Sequence, residues 1–556
     1  MVKKSLVAIL VSAWLFLSGA AWTASQKFYP DDPIAREPES QDAAGAQEWD
    51  IDLFFDLMYG TFATPRMITP GRRAANVNTA DEVPDSNWFT NRILARPLSL
   101  DQLITGPNTL PPERQGIGFR TAGKVTIIKP KNVGAAPGVV VRGPLGETWF
   151  VSFDPPGHPG GATGALVVAS KIFWALGYWQ PEQYLANLRE EDFEIAAEAL
   201  IRPSSGRKRP MTRADLKALL GRVQANPDGS YRVVGSRLLP GKVLGGFRYH
   251  GTRPDDPNDV VPHEDRRELR ALKVFGAWTN LVDIKAGNTI DTLIGDGGKS
   301  VVRHWLQDVG STFGMGANGP HDWDEGWESL FAGDPLWKRL VSFGFYLQPW
   351  QTARYEAHPS VGIFEGDAFE PETWSPRVPA GALLAARDDD HFWAARRVMA
   401  FSDEMIRGVV TAARFTDPAA ERILAEVLIK RRDKIGRAYL PKVNPLVDFA
   451  LDETGALTFV NAAVQAKVAA APAGGYEARW FTFDNATGDT RPIGSPTRAM
   501  GERLPVAAGL PAATGAFIQV DVRAIDPAHA AWATPVRVYF RRTAQSWALA
   551  GLDRLD

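Results

Sequence analysis

The segment "GDGGK", residues 295–299, lies between "TIDTLI" and "SVVRHWLQ", two runs rich in β-branched and apolar residues. A short Gly- and Asp-rich turn between two such runs specifies an antiparallel β-hairpin. No other feature constrains the path of this chain as tightly, because a hairpin returns whatever follows it to the place it left. What stands on either side of the hairpin therefore ends up together.

Before it, "PHEDRRELRALKVFGAWTN" carries Leu269, Leu272, Phe275 and Trp278 at near-threefold spacing, one face of a helix. The next residues, "LVDIKAGN", hold Asp283, Lys285 and Asn288. After the hairpin comes "DVGSTFG", with Asp308, Val309 and Gly310. The order is helix, Asp loop, Asn, hairpin, Asp-x-Gly. Taken alone, Asp283 and Asn288 are also the residues that commonly cap and turn a loop after a helix. Joined to the hairpin, they match a need of phosphoryl transfer. One carboxylate orients the attacking hydroxyl, while an amide and a second carboxylate hold Mg²⁺ on the phosphates. Asn288 and Asp308, twenty positions apart, are placed to share that metal.

Here the sequence resembles the protein-kinase-like superfamily. "DIKAGN" matches the Asp-x-Lys-x-x-Asn part of the kinase catalytic loop, and "DVG" matches Asp-Phe-Gly. The resemblance implies Asp283 as catalytic base, Lys285 as a γ-phosphate contact, Asn288 and Asp308 as metal ligands, and Mg²⁺ and ATP as cofactors. Upstream, "KVTIIKP", "GVVVRG" and "ETWFVSF" read as three strands, followed by a helix over "ATGALVVASKIFWAL" and a further strand in "SYRVVGSRLL". That layout is similar to a kinase N-lobe and hinge, with "PKNVGAAPG" as a backbone cradle over the phosphates. The implied nucleotide contacts are Gly134, Gly138, Lys129 and Lys131. The layout also resembles secreted atypical kinase-like proteins and a group of secreted bacterial proteins with a "DxGSTxG" element.

The pattern departs from the family in four places. Ser152 stands where strand three supplies a Lys, and Leu166 where the following helix supplies its Glu partner. Losing both together leaves no unpaired buried charge. Lys129, Lys131 or Lys171 are the alternative sources of a phosphate-facing cation. "NLVD" lacks the His-Arg that precedes the catalytic Asp, and Val309 replaces Phe.

The amino terminus carries Lys3 and Lys4, then the apolar run "LVAILVSAWLF", then "SGAA". This reads as an export signal cleaved after Ala20 or Ala21. The run is short for a membrane span and has no basic flank after it, so cleavage is expected rather than an uncleaved anchor. The 556 residues include no Cys, which excludes disulfides, thiolate nucleophiles and Cys-bound zinc, and fits a periplasmic or secreted bacterial protein. A net charge of −2 gives no footprint for nucleic acid. No span is expected in the mature chain, and the partner is an unidentified protein or small-molecule substrate.

The expected fold is α+β: a two-lobed kinase-like domain with a C-terminal all-β, sandwich-like domain. The expected boundaries are 1–21 signal, 22–116 arm and helical segment, 117–250 N-lobe, 251–443 C-lobe and 444–556 β-domain. Other sites are weaker. "DDPND" holds Asp255, Asp256, Asn258 and Asp259 without EF-hand spacing and reads as a solvated acidic loop. His263 and His304 lack metal-ligand spacing. No G-x-S-x-G elbow is present, and the tryptophans of "HDWDEGWESLF" read as packing anchors. The functional expectation is an ATP/Mg-dependent phosphotransferase. The alternatives are a degenerate pseudokinase scaffold of the cell envelope and an envelope glycan-binding protein or hydrolase.

Overall fold

The computed structural model describes residues 26–555 apart from 39–40, 70, 112–123, 132–136, 203–205, 331–332 and 453. The expected signal segment and Gly134 lie outside the described residues.

The chain is a mixed α+β protein with several sheets. Its amino-terminal segment runs along distant elements before forming helix α1, Leu53–Phe62, whose first turn is capped by Asp52 accepting from Phe55 N. Strands β1 (Val125–Pro130), β2 (Gly138–Arg142) and β3 (Thr148–Phe153) form an antiparallel meander. In β3, Trp149, Val151 and Phe153 are buried while Phe150 is exposed, the alternation a pleated strand imposes. The buried face packs on Leu216, Leu219 and Leu220 of the short helix Arg213–Leu220. Thr212 caps that helix through a reciprocal bond pair with Asp215.

Helix α2, Gly161–Leu176, follows β3 and is buried along most of its length, with Lys171 its only charged residue. Strands β4 (Gln183–Leu188), β5 (Phe193–Ile195) and β6 (Tyr231–Arg237) complete a six-stranded sheet of order β4-β6-β3-β2-β1-β5. Only the β1–β5 edge is parallel.

The run after β6, "PGKVLGG", reads by its glycines as loop, yet it contributes strand β7, Lys242–Gly245. It pairs with the predicted hairpin, β8 (Ile290–Asp296) and β9 (Lys299–Trp305), whose register runs from Asp296↔Lys299 to Ile290↔Trp305. Helix α3, Leu272–Thr279, precedes the hairpin, and Leu269, Leu272, Phe275 and Trp278 are all buried as their spacing predicts. Helices α4 (Asp388–Met399) and α6 (Pro418–Tyr439) pack against it, and α5 (Asp403–Thr411) packs on α6 and α2. The Trp278 indole donates to Leu428 O at 2.9 Å.

Residues 446–554 form a three-stranded and a five-stranded antiparallel sheet, with helical turns at Ala462–Gln465 and Ala530–Ala533 between strands. One apolar core runs without interruption from Phe173 of α2 through Trp278 to Val520 of the five-stranded sheet. Between these layers lies a buried ionic network. Arg267 Nε and Arg270 Nη1 each reach Asp390 at 3.0 Å, and Arg267 also pairs with Asp81 and Asp389. Asp81 in turn pairs with Arg554 in the last strand.

The acidic loop expected to be solvated is largely enclosed. Asp259 accepts from His263 at 2.7 Å and from Arg253 N at 2.6 Å, and Asp255 pairs with Arg253. The neighbouring Arg253 guanidinium is fully buried, so these carboxylates serve as its counter-charge. His263 and His304 are buried against Trp88, each bonded to a carboxylate. Among the described residues, no helix is long and apolar enough to cross a membrane.

Candidate functional site

Helix α3 ends at Asn280, which turns left-handed (φ 54°) and hands its side-chain oxygen to the Trp374 indole at 2.9 Å. The chain then runs extended. Val282, Ile284 and Ala286 point into the core, so the intervening Asp283 and Lys285 face the open side. Lys285 Nζ lies 2.8 Å from Asp283 Oδ2, with the two side chains 41% and 32% exposed.

A single 3₁₀ turn, Ala286–Asn288, redirects the chain into β8. The Asn288 amide nitrogen donates back to Asp283 O at 2.8 Å, and the Asn288 carbonyl accepts from Gln307 N (3.1 Å) and Asp308 N (3.0 Å). The hairpin thus delivers Asp308 to Asn288, and Asn288 is fastened to Asp283. Asp308 Oδ1 accepts from Gly310 N at 3.0 Å. Asn288 Oδ1 and Asp308 Oδ2 make no hydrogen bond to another described residue, so an amide oxygen and a carboxylate oxygen remain open on two residues joined by a backbone bond. Those are hard oxygen donors of the kind Mg²⁺ and Mn²⁺ take. No group of three or more His, Asp or Glu side chains gathers as a metal site among the described residues.

The upstream positions are brought close as well. A methyl built on Gly310 would stand 3.2 Å from Asp308 Oδ1 and 3.7 Å from Leu166 of α2. The residue at the expected carboxylate position therefore packs at Gly310, and it is apolar. Ser152 pairs across β2 with Gly138, whose lack of a side chain lets Val151 O approach to 2.6 Å of a would-be Cβ. Lys131 accompanies Gly138, its N–H donating to Gly138 O at 3.0 Å and its side chain lying along it. Lys129 sits exposed beyond a bulge in β1. Lys171 is turned away: its ammonium donates to Thr105 O at 3.0 Å, and burial pushes it down to about 8. This removes it as a phosphate-facing cation.

Several neighbours were not evident from the sequence. Leu53 of α1 covers Gly287, and Asp56 of the same helix lies 3.5 Å from Arg248. Burial raises Asp56, with Arg248 and His250 opposing. Burial also raises the Tyr249 phenol, and the nearby charges of Asp283 and Asp56 add to the effect. On the other side, Arg377 N donates to Val282 O at 2.9 Å and its guanidinium approaches Glu325 at 3.5 Å. Burial pushes Glu325 up to about 7 and His321 down to about 4, and Asp283 bears on both. The one available signal was the His-x-x-x-Glu spacing inside "HDWDE".

No protein-family model matches the chain, and no curated protein matches it by sequence. Solved structures that are distantly similar include two of one enzyme. One is the Golgi casein kinase with Mn/ADP bound, at 11% identity and a TM-score of 0.26, covering 60% of this chain and 76% of that one. The other is the Golgi casein kinase at 10% identity and 0.27, covering 74% and 96%. At such scores the likeness carries no weight in assigning a function, which rests on the site's own geometry.

Proposed function

We propose that this chain is an exported, kinase-like phosphotransferase that takes a nucleoside triphosphate with a divalent cation. In this reading the six-stranded sheet with α2 and the helices around α3 act as two lobes about the 283–310 segment. The observation that supports it is the fastening of Asn288 to both Asp283 O and Asp308 N, which ties the three residues of the candidate site together through the backbone.

Asn288 Oδ1 and Asp308 Oδ2 would hold the cation, whose charge, when bound, neutralises the oxygens of the transferred group. Asp283 accepts the proton of the attacking hydroxyl, and Lys285, 2.8 Å away, orients that carboxylate and adds positive charge on the phosphate side. Lys131, beside Gly138 and opposite Ser152, supplies the cation that strand three lacks.

A second reading is favoured by Ser152 and by Leu166 against Gly310: a scaffold on a degenerate kinase-like fold, its nucleotide clamp replaced by apolar contact. The experiment that separates them is a melting curve with ATP and Mn²⁺ for the intact protein and for Asp308→Ala. A stabilisation present in the first and absent in the second supports the phosphotransferase. No stabilisation of the unaltered protein supports the scaffold.

A further inference from the structure

The turn after Asp308 builds a second set of groups that the reading above does not use. Gly310 N caps the Asp308 carboxylate, and the chain leaves that cap at Ser311. It then folds back through a two-residue pairing, Met315–Gly316 with Gly319–Pro320, and through His321 N donating to Gly314 O at 2.8 Å. This returns His321 to Ser311, with Oγ and Nε2 2.9 Å apart. The other ring nitrogen, Nδ1, is buried without a hydrogen-bond partner and lies 3.4 Å from Glu325 Oε2. The imidazole is 5% exposed and the Glu325 carboxylate 14%, whereas Ser311 is half-buried and reachable.

The connectivity is specific. A serine hydroxyl meets Nε2, and a carboxylate faces Nδ1, the arrangement in which an imidazole takes a hydroxyl proton while the acid steadies the cation that results. The relay uses the tautomer with its proton on Nδ1. A proton there points at Glu325, which leaves Nε2 as the acceptor for Ser311. A purely structural staple needs only the Ser311–His321 bond, whereas here a half-buried acid, held on its other oxygen by Arg377, faces the far nitrogen. The 3.4 Å gap is of the size that tightens when such a site is engaged.

We propose that Ser311, with His321 as its base and Glu325 as the group orienting that base, is a nucleophile of this site and accepts a phosphoryl group on its own hydroxyl. The choice of electrophile rests on the phosphotransferase reading, since Ser311 stands three residues beyond Asp308 on the same turn. In the step, the Oγ–P bond forms and the bond from the terminal phosphorus of a nucleoside triphosphate to its bridging oxygen breaks. The electron pair leaves with the nucleoside diphosphate, and the Oγ proton passes to His321 Nε2 and then to solvent. Oxidation states do not change.

Two measurements on the full chain test this. The first needs no nucleotide: a fluorophosphonate probe, located by peptide mass spectrometry, should label Ser311, and Ser311→Ala should abolish the signal. His321→Gln should slow labelling by about a hundredfold, and Glu325→Gln by a smaller factor, at unchanged melting temperature. A folded protein that stays unlabelled, or labelling at the same rate in His321→Gln, overturns the nucleophile. The second is incubation with ATP and Mn²⁺, which should add one phosphoryl group at Ser311. ATP-dependent stabilisation with Ser311 left unmodified overturns the acceptor role. Labelling by the probe with no response to ATP sinks the phosphotransferase reading and leaves the relay standing.

Discussion

Asp308 donates its backbone N–H to the carbonyl of Asn288 at 3.0 Å, closing the base of a hairpin whose two ends are twenty residues apart. Asn288 spends its side-chain nitrogen on Asp283 O at 2.8 Å in the opposite direction. Three residues that the proposed chemistry needs are held by one another's backbone and not by long side chains, so their spacing changes little when a ligand arrives.

Asn288 is the most informative position to alter. Asn288→Leu removes the donor to Asp283 O and the open amide oxygen together. The lost half-buried bond costs about 1–2 kcal/mol of stability. Melting curves should show that modest loss, and the ATP/Mn²⁺-dependent stabilisation should disappear. A variant that melts lower yet still responds fully to ATP would sink Asn288 as a ligand.

Gly310→Ala tests crowding at the same turn. The added methyl meets Asp308 Oδ1 at 3.2 Å and Leu166 at 3.7 Å. The expected result is a small change in melting temperature with a larger loss of nucleotide response, because the methyl displaces the carboxylate and not the core. Equal losses in both would mean the turn is structural.

The buried guanidinium pair predicts a large effect far from this site. Asp390 is the shared partner of Arg267 and Arg270, each at 3.0 Å, and all three side chains are at most 1% exposed. Asp390→Asn leaves two buried cations underpaired, which costs about 3–5 kcal/mol. Urea denaturation should show it, with little change between low and high salt because buried pairs are poorly screened.

His321 and Glu325 make opposing contributions to the pH dependence of stability. Burial lowers His321 from 6.5 to about 4, so its contribution is present above 6.5 and lost as pH falls toward 4. Burial raises Glu325 from 4.5 to about 7, so its contribution is present below 4.5 and lost as pH rises toward 7. Between about 4.5 and 6.5 the two slopes oppose each other. Glu325→Gln should unmask a stability that rises with pH across this window, and His321→Gln one that falls. Denaturation midpoints at several pH values measure both, and identical profiles for the two variants would refute the assignment.

The 280–310 segment was legible in the sequence because it is local: a helix face, an alternating extended run and a hairpin turn each have a short-range signature. Asn288 is bonded to Asp283 O and Asp308 N for that reason. Strand β7 was missed because its pairing to Asp291 and Thr292 comes from a residue range forty positions away, and "PGKVLGG" by itself reads as loop. The Asp255–Asp259 loop looked solvated because nothing in its composition reveals the buried Arg253 it neutralises. Ser311, His321 and Glu325 meet through an irregular return of the chain, which has no period to detect. Lys171 is the converse case: its position in α2 suggested a phosphate contact, and the register of the helix turns it to Thr105.

The amino-terminal segment sets an order of events. Phe28 is buried among Phe483, Phe517 and Tyr539, and its N–H donates to Asn485 at 2.8 Å, a partner 457 residues later. Ala43 then bonds to Ser300, and Trp49 to Leu244. Phe28 and Asn485 meet only when a loop of 457 residues closes. Closing so long a loop is slow, so this seat fills after short-range pairs such as the β8–β9 hairpin have formed.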